Sequence, residues 1–245
     1  METPFHRGKI LLLNKPLGWT SFDLVNKTRI SIEKHYGLKR MGIKVGHAGT
    51  LDPLATGLML ICTGAMTRKI SELQGMEKEY TGTFHLGVSS ASLDQETPVS
   101  KVSPFDHLSS EILVQKTNDF LGEQLQVPPL YSAKQLDGKR AYEFARKGKD
   151  VELKSNKVEI RAFELTKINL PEVHFRVVCS KGTYIRSLAR DFGEALGTCA
   201  MLTKLTRTKI GNYRLEEASY EAEGLQLLQE QQADNSGKIQ FHPIQ

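Results

Sequence analysis

The chain has 245 residues, of which 39% are hydrophobic and 25% charged, enough for one large globular domain or a domain with an inserted lobe. The first apolar run, residues 10–13, is too short for a signal-peptide core or a membrane span. Three cysteines without a Cys-x-x-Cys pattern point to buried thiols in a reducing cytoplasm rather than to a disulfide or metal framework. The net charge of +5 is uneven, with nine Lys/Arg against three Asp/Glu in residues 1–50 and an acidic stretch over 215–245. Such a basic body suits a polyanionic partner, although a merely solvated basic surface accounts for it equally well.

In chain order, residues 9–13 read as a strand. Thr20 opens a helix with Asp23 three residues on, a capping-box variant. Phe22, Val25, Arg29 and Ile32 are expected to share one face of that helix, with Gly37 as its stop. A basic linker, 39–44, leads to a glycine-rich loop. The apolar run 58–62 then predicts a buried strand, and 67–73 a short helix. Alternation of Tyr80, Gly82, Phe84 and Leu86 with polar residues predicts a third strand. Residues 88–103 read as a polar loop and 109–121 as a helix. The segment 127–130 is excluded from a central strand by its two prolines. A basic amphipathic helix is expected at 140–147, and paired strands at 158–170 and 173–179. A helix over 185–196 is closed by Gly197, and a hairpin-like return at 202–207 and 210–214 follows. Residues 216–245 form an acidic, Gln-rich tail with at most one helix near 224–231. Together these elements predict an α+β fold with a largely antiparallel sheet.

The most specific segment is Gly46-His47-Ala48-Gly49-Thr50-Leu51-Asp52-Pro53-Leu54-Ala55-Thr56-Gly57. Its glycines and proline rule out helix interior, so Asp52 sits on a constrained loop that presents a carboxylate. Taken alone, an Asp-Pro turn with a capping carboxylate would explain Asp52 as well. The loop resembles the catalytic motif of the TruB-type tRNA pseudouridine synthases, with Ala48 standing where Thr is common. Four further segments resemble the family in the same order: 11–23, Lys78-Glu79-Tyr80, 127–133, and 179–186 ending in Gly182-Thr183-Tyr184-Ile185-Arg186. The likeness runs from about residue 9 to about residue 218.

The resemblance implies a pseudouridine synthase fold over residues 1–215, with a mixed, largely antiparallel central sheet flanked by helices. It also implies an inserted, RNA-gripping thumb at about 122–155, followed by a short acidic tail at 216–245. The implied activity is isomerisation of uridine 55 in the tRNA T-loop, through a flipped base and one catalytic aspartate. Asp52 is then the catalytic residue, and Arg186 is the active-site arginine that keeps it ionised. Alone, Arg186 would pass for a surface charge. Tyr80 matches the stacking tyrosine, although by itself it would be an ordinary strand aromatic. Tyr184 matches a second tyrosine and Leu205 a hydrophobic pocket residue. His47 is expected to contact RNA near the flipped base, since it lacks the company a metal site needs. In the basic segment 138–149, Lys139, Arg140, Lys147 and Lys149 are expected to hold RNA phosphates.

No cofactor or metal is expected, because the reaction is neither a redox step nor a hydrolysis. The expected partner is the tRNA T-arm, with no membrane, no obligatory protein partner, a monomeric state and a cytoplasmic location. Two other readings are an RNA-folding protein with secondary or lost catalysis and a guide-RNA-dependent synthase subunit. The intact set Asp52, Tyr80 and Arg186 disfavours the first. The second relies on a larger C-terminal RNA-binding region than the short acidic tail offers.

Overall fold

The computed structural model describes residues 2–132, 134–136, 139–145, 151 and 153–220, with backbone alone at 135–136, 139–140, 145 and 220. In chain order the elements are α1 (Pro4–Arg7), β1 (Ile10–Lys15), α2 (Ser21–His35), β2 (Val45–His47), β3 (Ala55–Thr63), α3 (Ile70–Gly75) and β4 (Lys78–Leu86). Next come β5 (Val88–Ser90), β6 (Val99–Val102), α4 (Ser110–Thr117), β7 (Gly122–Gln126), β8 (Gln135–Leu136), β9 (Lys139–Arg140) and α5 (Ala141–Ala145). The described chain ends with β10 (Asn156–Asn169), β11 (Glu172–Cys179), α6 (Ile185–Ala195), β12 (Ala200–Ile210), β13 (Tyr213–Arg214) and β14 (Ser219–Tyr220). They fall into two compact units. One comprises Met1–Lys78 with the described part of Thr206–Gln245, and the other Glu79–Leu205.

In the first unit β1 pairs antiparallel with β3 over its whole length and parallel with β14, so the sheet is mixed. The uninterrupted apolar run Leu58–Cys62 arises because β3 is buried on both faces. Leu58, Leu60 and Cys62 join Leu12, Leu73 and Ile210 on one side. On the other side the Met59 sulfur meets the Ser21 hydroxyl at the start of α2. That helix begins as its sequence requires: Thr20 Oγ1 accepts the Asp23 N–H at 3.1 Å, and Asp23 accepts the Thr20 N–H at 2.9 Å. Gly37, at φ +61°, follows its end. The buried face differs from expectation. Leu24, Val25, Thr28 and Ile32 face inward, whereas Phe22 is 64% exposed. Ser21 takes the inward place at the helix start because its hydroxyl bridges to the Asp52 loop.

In the second unit β11 pairs with β10 and β10 with β7, all antiparallel. The interior is aromatic. Phe84 of β4 stacks on Phe175 of β11 with ring centroids 4.1 Å apart, and Phe163, Phe192 and Phe120 close around them edge-on or tilted. Gly82, next but one along β4, leaves the space this stack needs: a Cβ there would lie 2.6 Å from the Phe175 ring.

Most expected elements lie where the periodicity placed them, with four differences. The stretch 88–103 is not all loop, because β5 and β6 pair as a small hairpin whose outer strand is fully exposed and so carries no burial pattern. The expected helix at 67–73 begins earlier, as a 3-10 turn at Gly64–Lys69 leading into α3. The two-part return after residue 202 is one strand, β12, and only the turn at Gly211 and β13 fold back on it. Strand β7 had no sequence signal, since Glu123, Leu125 and their neighbours sit at an exposed edge. The basic helix expected at 140–147 is described only as β9 and α5. Lys147, Lys149 and the helix expected near 224–231 lie outside the described residues. All three thiols, Cys62, Cys179 and Cys199, are reduced and buried, and burial pushes the Cys62 thiol up to about 11.

The aromatic stack makes Phe84 a sensitive core position. Phe84→Ala should cost about 3–5 kcal/mol of unfolding free energy, measured as a lowered urea midpoint at unchanged slope.

Candidate active site

The Asp52 loop connects β2 to β3, two strands paired in register from Val45↔Thr63 to His47↔Ile61. Ala48, fully buried, donates its N–H to Leu60 O at 2.9 Å and so ties the loop down one residue past β2. Gly49 adopts φ +110°, a conformation that a side chain would strain. Leu51 is clamped on both backbone groups: its N–H donates to Ser21 Oγ at 2.8 Å, and its carbonyl accepts from that hydroxyl at 3.0 Å. Asp52 then heads a tight turn in which Ala55 N–H donates to Asp52 O at 3.0 Å, with Pro53 in the position that favours its fixed φ. Gly18 N–H donates to Pro53 O at 2.9 Å and joins the turn to the loop after β1. Asp52 itself remains partly accessible at the crest.

Two buried cations lie under this loop. Lys15, at the end of β1, is 0% exposed, and its Nζ donates to the carbonyls of Trp19 (2.6 Å), Pro16 (3.0 Å) and Pro53 (3.4 Å). Burial pushes its ammonium down to about 8; the Asp52 charge opposes the fall and Arg207 adds to it. Arg207, 1% exposed on β12, donates from Nε to Leu58 O at 2.8 Å, from Nη2 to Gly49 O at 3.2 Å and from Nη1 to Thr50 O at 3.4 Å. Gly57 must be glycine beside it, because a Cβ would lie 2.4 Å from the Arg207 carbonyl oxygen. His47 is partly buried. Desolvation first, then the Arg207 charge, lowers its pKa, while the Gly49 backbone works against the fall. A neutral imidazole beside the Asp52 loop is the result near neutral pH.

Tyr80, Tyr184, Arg186 and Leu205 belong to the second unit. Arg186, in the first turn of α6, is 4% exposed. Its Nε lies 3.5 Å from Asp94 Oδ2 and its Nη1 donates to Ser92 O at 3.0 Å. The loop that holds Asp94 is itself built from buried polar groups. Ser90 Oγ donates to Asp94 O at 2.5 Å, Glu96 N–H to Asp94 Oδ1 at 2.9 Å, and Leu93 O accepts Leu202 N–H at 3.0 Å. Tyr184 stands at the N-cap of α6, where Gln126 Oε1 accepts its N–H at 2.8 Å. Val127 O accepts from Ser187 Oγ and Arg190 Nη2, so the exit of β7 is pinned to the same helix start. Tyr80 is buried on β4, and Leu205 is half-buried on β12. Lys139 and Arg140 form β9.

The structure thus gathers His47 and Asp52 with two cations that sequence reasoning did not single out, Lys15 and Arg207. It pairs Arg186 with a third residue that was missed, Asp94. Lys15 had a signal of sorts, a lysine at the end of an apolar strand with Pro-x-Gly behind it. Asp94 was hidden in a stretch that read as solvated loop.

A model of the TruB family pseudouridylate synthase N-terminal domain matches residues 34–185. A protein of Flavobacterium johnsoniae called tRNA pseudouridine synthase B is 53% identical over 211 residues, covering 86% of this chain and 92% of its own. One of the same description from Phocaeicola vulgatus is 52% identical over 213 residues, covering 87% and 90%. The chain belongs to the TruB family. It is accordingly an isomerase that converts uridine to pseudouridine. Among solved structures, the chain superposes on one from a Cbf5-Nop10-Gar1 complex with a TM-score of 0.68 and 27% identity, covering 92% of this chain and 56% of that one. An H/ACA RNP bound to a substrate RNA containing 2'-deoxyuridine gives 0.64 and 25%, over 91% and 54%. The chain therefore spans about half the length of those two proteins.

Conversion of uridine to pseudouridine breaks one glycosidic bond and forms a C–C bond to the same sugar, so it demands accurate positioning of the reacting groups. Lys15 and Arg207 hold the backbone of the loop that carries Asp52. Lys15 carries a pH signature. Its proton is held by the unfolded chain up to about 10.5 but lost from the folded protein near 8, so the unfolded state binds more protons in that window. Stability should therefore rise between pH 8 and 10.5, on the order of 3 kcal/mol for the wild type relative to Lys15→Met. Urea unfolding of both proteins across that range checks it. A parallel pH dependence in the two would show that Lys15 does not titrate there.

Proposed function

We propose that the substrate is tRNA and the product pseudouridine at position 55 of the T-loop, with Asp52 as the catalytic carboxylate. The observation that carries the tRNA reading is 53% identity, over nearly the full length of the relative, to a protein called tRNA pseudouridine synthase B. The resemblance of the Asp52 loop to that family's catalytic motif supports the T-loop position and the aspartate. Asp52 crests a turn that is clamped at Leu51, Pro53 and Ala55, which suits a group that must meet a flipped nucleotide without moving.

We assign substrate-binding roles to the other residues that the resemblance singles out. Tyr80 stacks on the target base. Arg186, held by Asp94 and Ser92, acts as the active-site arginine, with Tyr184 beside it in sequence and Leu205 as an apolar wall. His47, kept neutral by burial, contacts RNA near the vacated stack. Lys139, Arg140, Lys147 and Lys149 grip phosphates in a thumb-like insertion. The protein acts as a cytoplasmic monomer with neither metal nor organic cofactor, since the isomerisation needs none. Among the described residues no helix is long and apolar enough to cross a membrane.

Incubation with an unmodified tRNA transcript, followed by chemical mapping, should place a single pseudouridine at position 55. A different site would overturn the T-loop assignment, and no product on any tRNA would overturn the substrate. Asp52→Asn should abolish product while tRNA affinity stays within about threefold, because shape is kept and only the charge is lost. Activity within tenfold of wild type would remove Asp52 from catalysis. Asp94→Asn should lower turnover with little change in tRNA affinity, by loosening Arg186. Turnover equal to wild type would make the pair structural only. Activity should also survive chelation of transition metals, and loss restored by zinc would contradict the cofactor-free reading.

A further inference from the structure

Between α2 and β2 lies a turn that the roles above do not use. Residues 34–44 carry Lys34, His35, Lys39, Arg40 and Lys44 and contain no Asp or Glu. All five of these side chains are exposed. The carboxylate that precedes them, Glu33, is buried, and its Oε1 accepts the Gly42 N–H at 3.1 Å, so it faces the inside of the turn.

The turn is fixed from several directions. Leu38 N–H donates to Glu33 O at 2.8 Å and Gly42 N–H also to Lys39 O at 2.8 Å, while His6 Nε2 lies 2.9 Å from Gly42 O. Ile43 is buried, and Lys44 O accepts Gly64 N–H at 2.8 Å. Gly42 has no room for a side chain, since a Cβ would lie 2.6 Å from Lys39 O. At the tip, Met41 is 65% exposed and holds a left-handed φ of +59°, an uncommon conformation for a residue other than glycine. A rigid basic turn with an apolar tip has little ordering entropy to lose on binding a polyanion.

Its place in the chain gives it a target. The three residues of β2 lead directly from Lys44 into the Asp52 loop, and the eight steps from Lys44 to Asp52 reach at most about 26 Å. The backbone of an RNA whose uridine reaches Asp52 passes within that radius. We propose that Lys39, Arg40 and Lys44 form a preorganised phosphate-binding surface for the substrate RNA, separate from the basic segment 138–149, with the Met41 side chain against a ribose face. The assignment rests on the reading that the substrate is tRNA, and it adds where the stem next to the target is seated.

The test is the salt dependence of tRNA binding for the wild type, the triple variant Lys39→Ala/Arg40→Ala/Lys44→Ala, each single variant, and a Lys101→Ala control on β6. The triple variant should bind at least tenfold more weakly at low salt. Its plot of log affinity against log salt should be flatter by about two to three, or about 0.7–0.9 for each single change, while Lys101→Ala keeps the wild-type slope. Turnover at saturating RNA and the modified position should match wild type, and Lys39→Arg/Lys44→Arg should retain the slope. A triple variant with the wild-type slope overturns this surface alone. A wild-type protein that neither binds nor modifies tRNA overturns the RNA reading and this surface with it.

Discussion

The first unit depends on an electrostatic exchange between two buried cations and a loop that has too many carbonyls to bury otherwise. Lys15 and Arg207 are almost wholly removed from water, a placement that costs several kcal/mol per ion unless the charge is fully hydrogen-bonded. The acceptors are backbone carbonyls of Gly49, Thr50, Pro53 and Leu58, together with Pro16 and Trp19. The Gly49, Thr50 and Pro53 carbonyls belong to a segment whose glycines and proline prevent it from satisfying itself as helix or ladder, and the others come from the loop after β1 and from β3. Each side answers the other's deficit. The cations dictate the path of the loop, and the loop makes the cations tolerable. The Asp52 carboxylate then stands on a loop whose backbone is held by two buried positive charges.

The second unit uses a different device toward a similar end. Its aromatic interior provides a stiff base in β4, β10, β11 and α6. From the start of α6, Arg186 extends into a loop of buried serines and one aspartate rather than into water. A long cationic side chain has many rotamers. Fixing it with a carboxylate and a carbonyl from a separately braced loop removes that freedom. Gln126 and Val127 bind the same helix start, so the segment leaving β7 and the arginine share one anchor.

How much of this was legible in the sequence follows from which physical signal each part carries. The capping box at Thr20 and Asp23, the apolar run of β3 and the alternation of β4 are local patterns, and they were readable as such. The strand pair β10–β11 and the Gly197 stop were equally plain. Exposed edge elements were not: β6 and β7 bury almost nothing, so no periodicity marks them. The spacing of Phe22 with Val25, Arg29 and Ile32 points it inward, but Phe22 is exposed. The Ser21 hydroxyl took the inward position through a hydrogen bond to Leu51, thirty residues away in sequence. The same non-locality hid Arg207, whose partners lie about 150 residues earlier, and Asp94, whose burial depends on Ser90 and Ser92. The Asp52 motif was recognisable because glycines and a proline at fixed spacing are themselves the constraint.

The three buried thiols supply each unit with its own internal clock. Cys62 lies in the doubly covered strand of the first unit, whereas Cys179 and Cys199 lie in the second. A thiol reagent can react only when the surrounding structure opens, and burial, which holds the Cys62 thiol up to about 11, keeps its thiolate scarce while the unit is closed. Labelling rates under native conditions therefore record the opening of the unit that carries Asp52 and of the unit that carries Arg186 as separate events. RNA that tightens one unit slows the labelling of that unit's own thiols, a readout that needs no engineered cysteine.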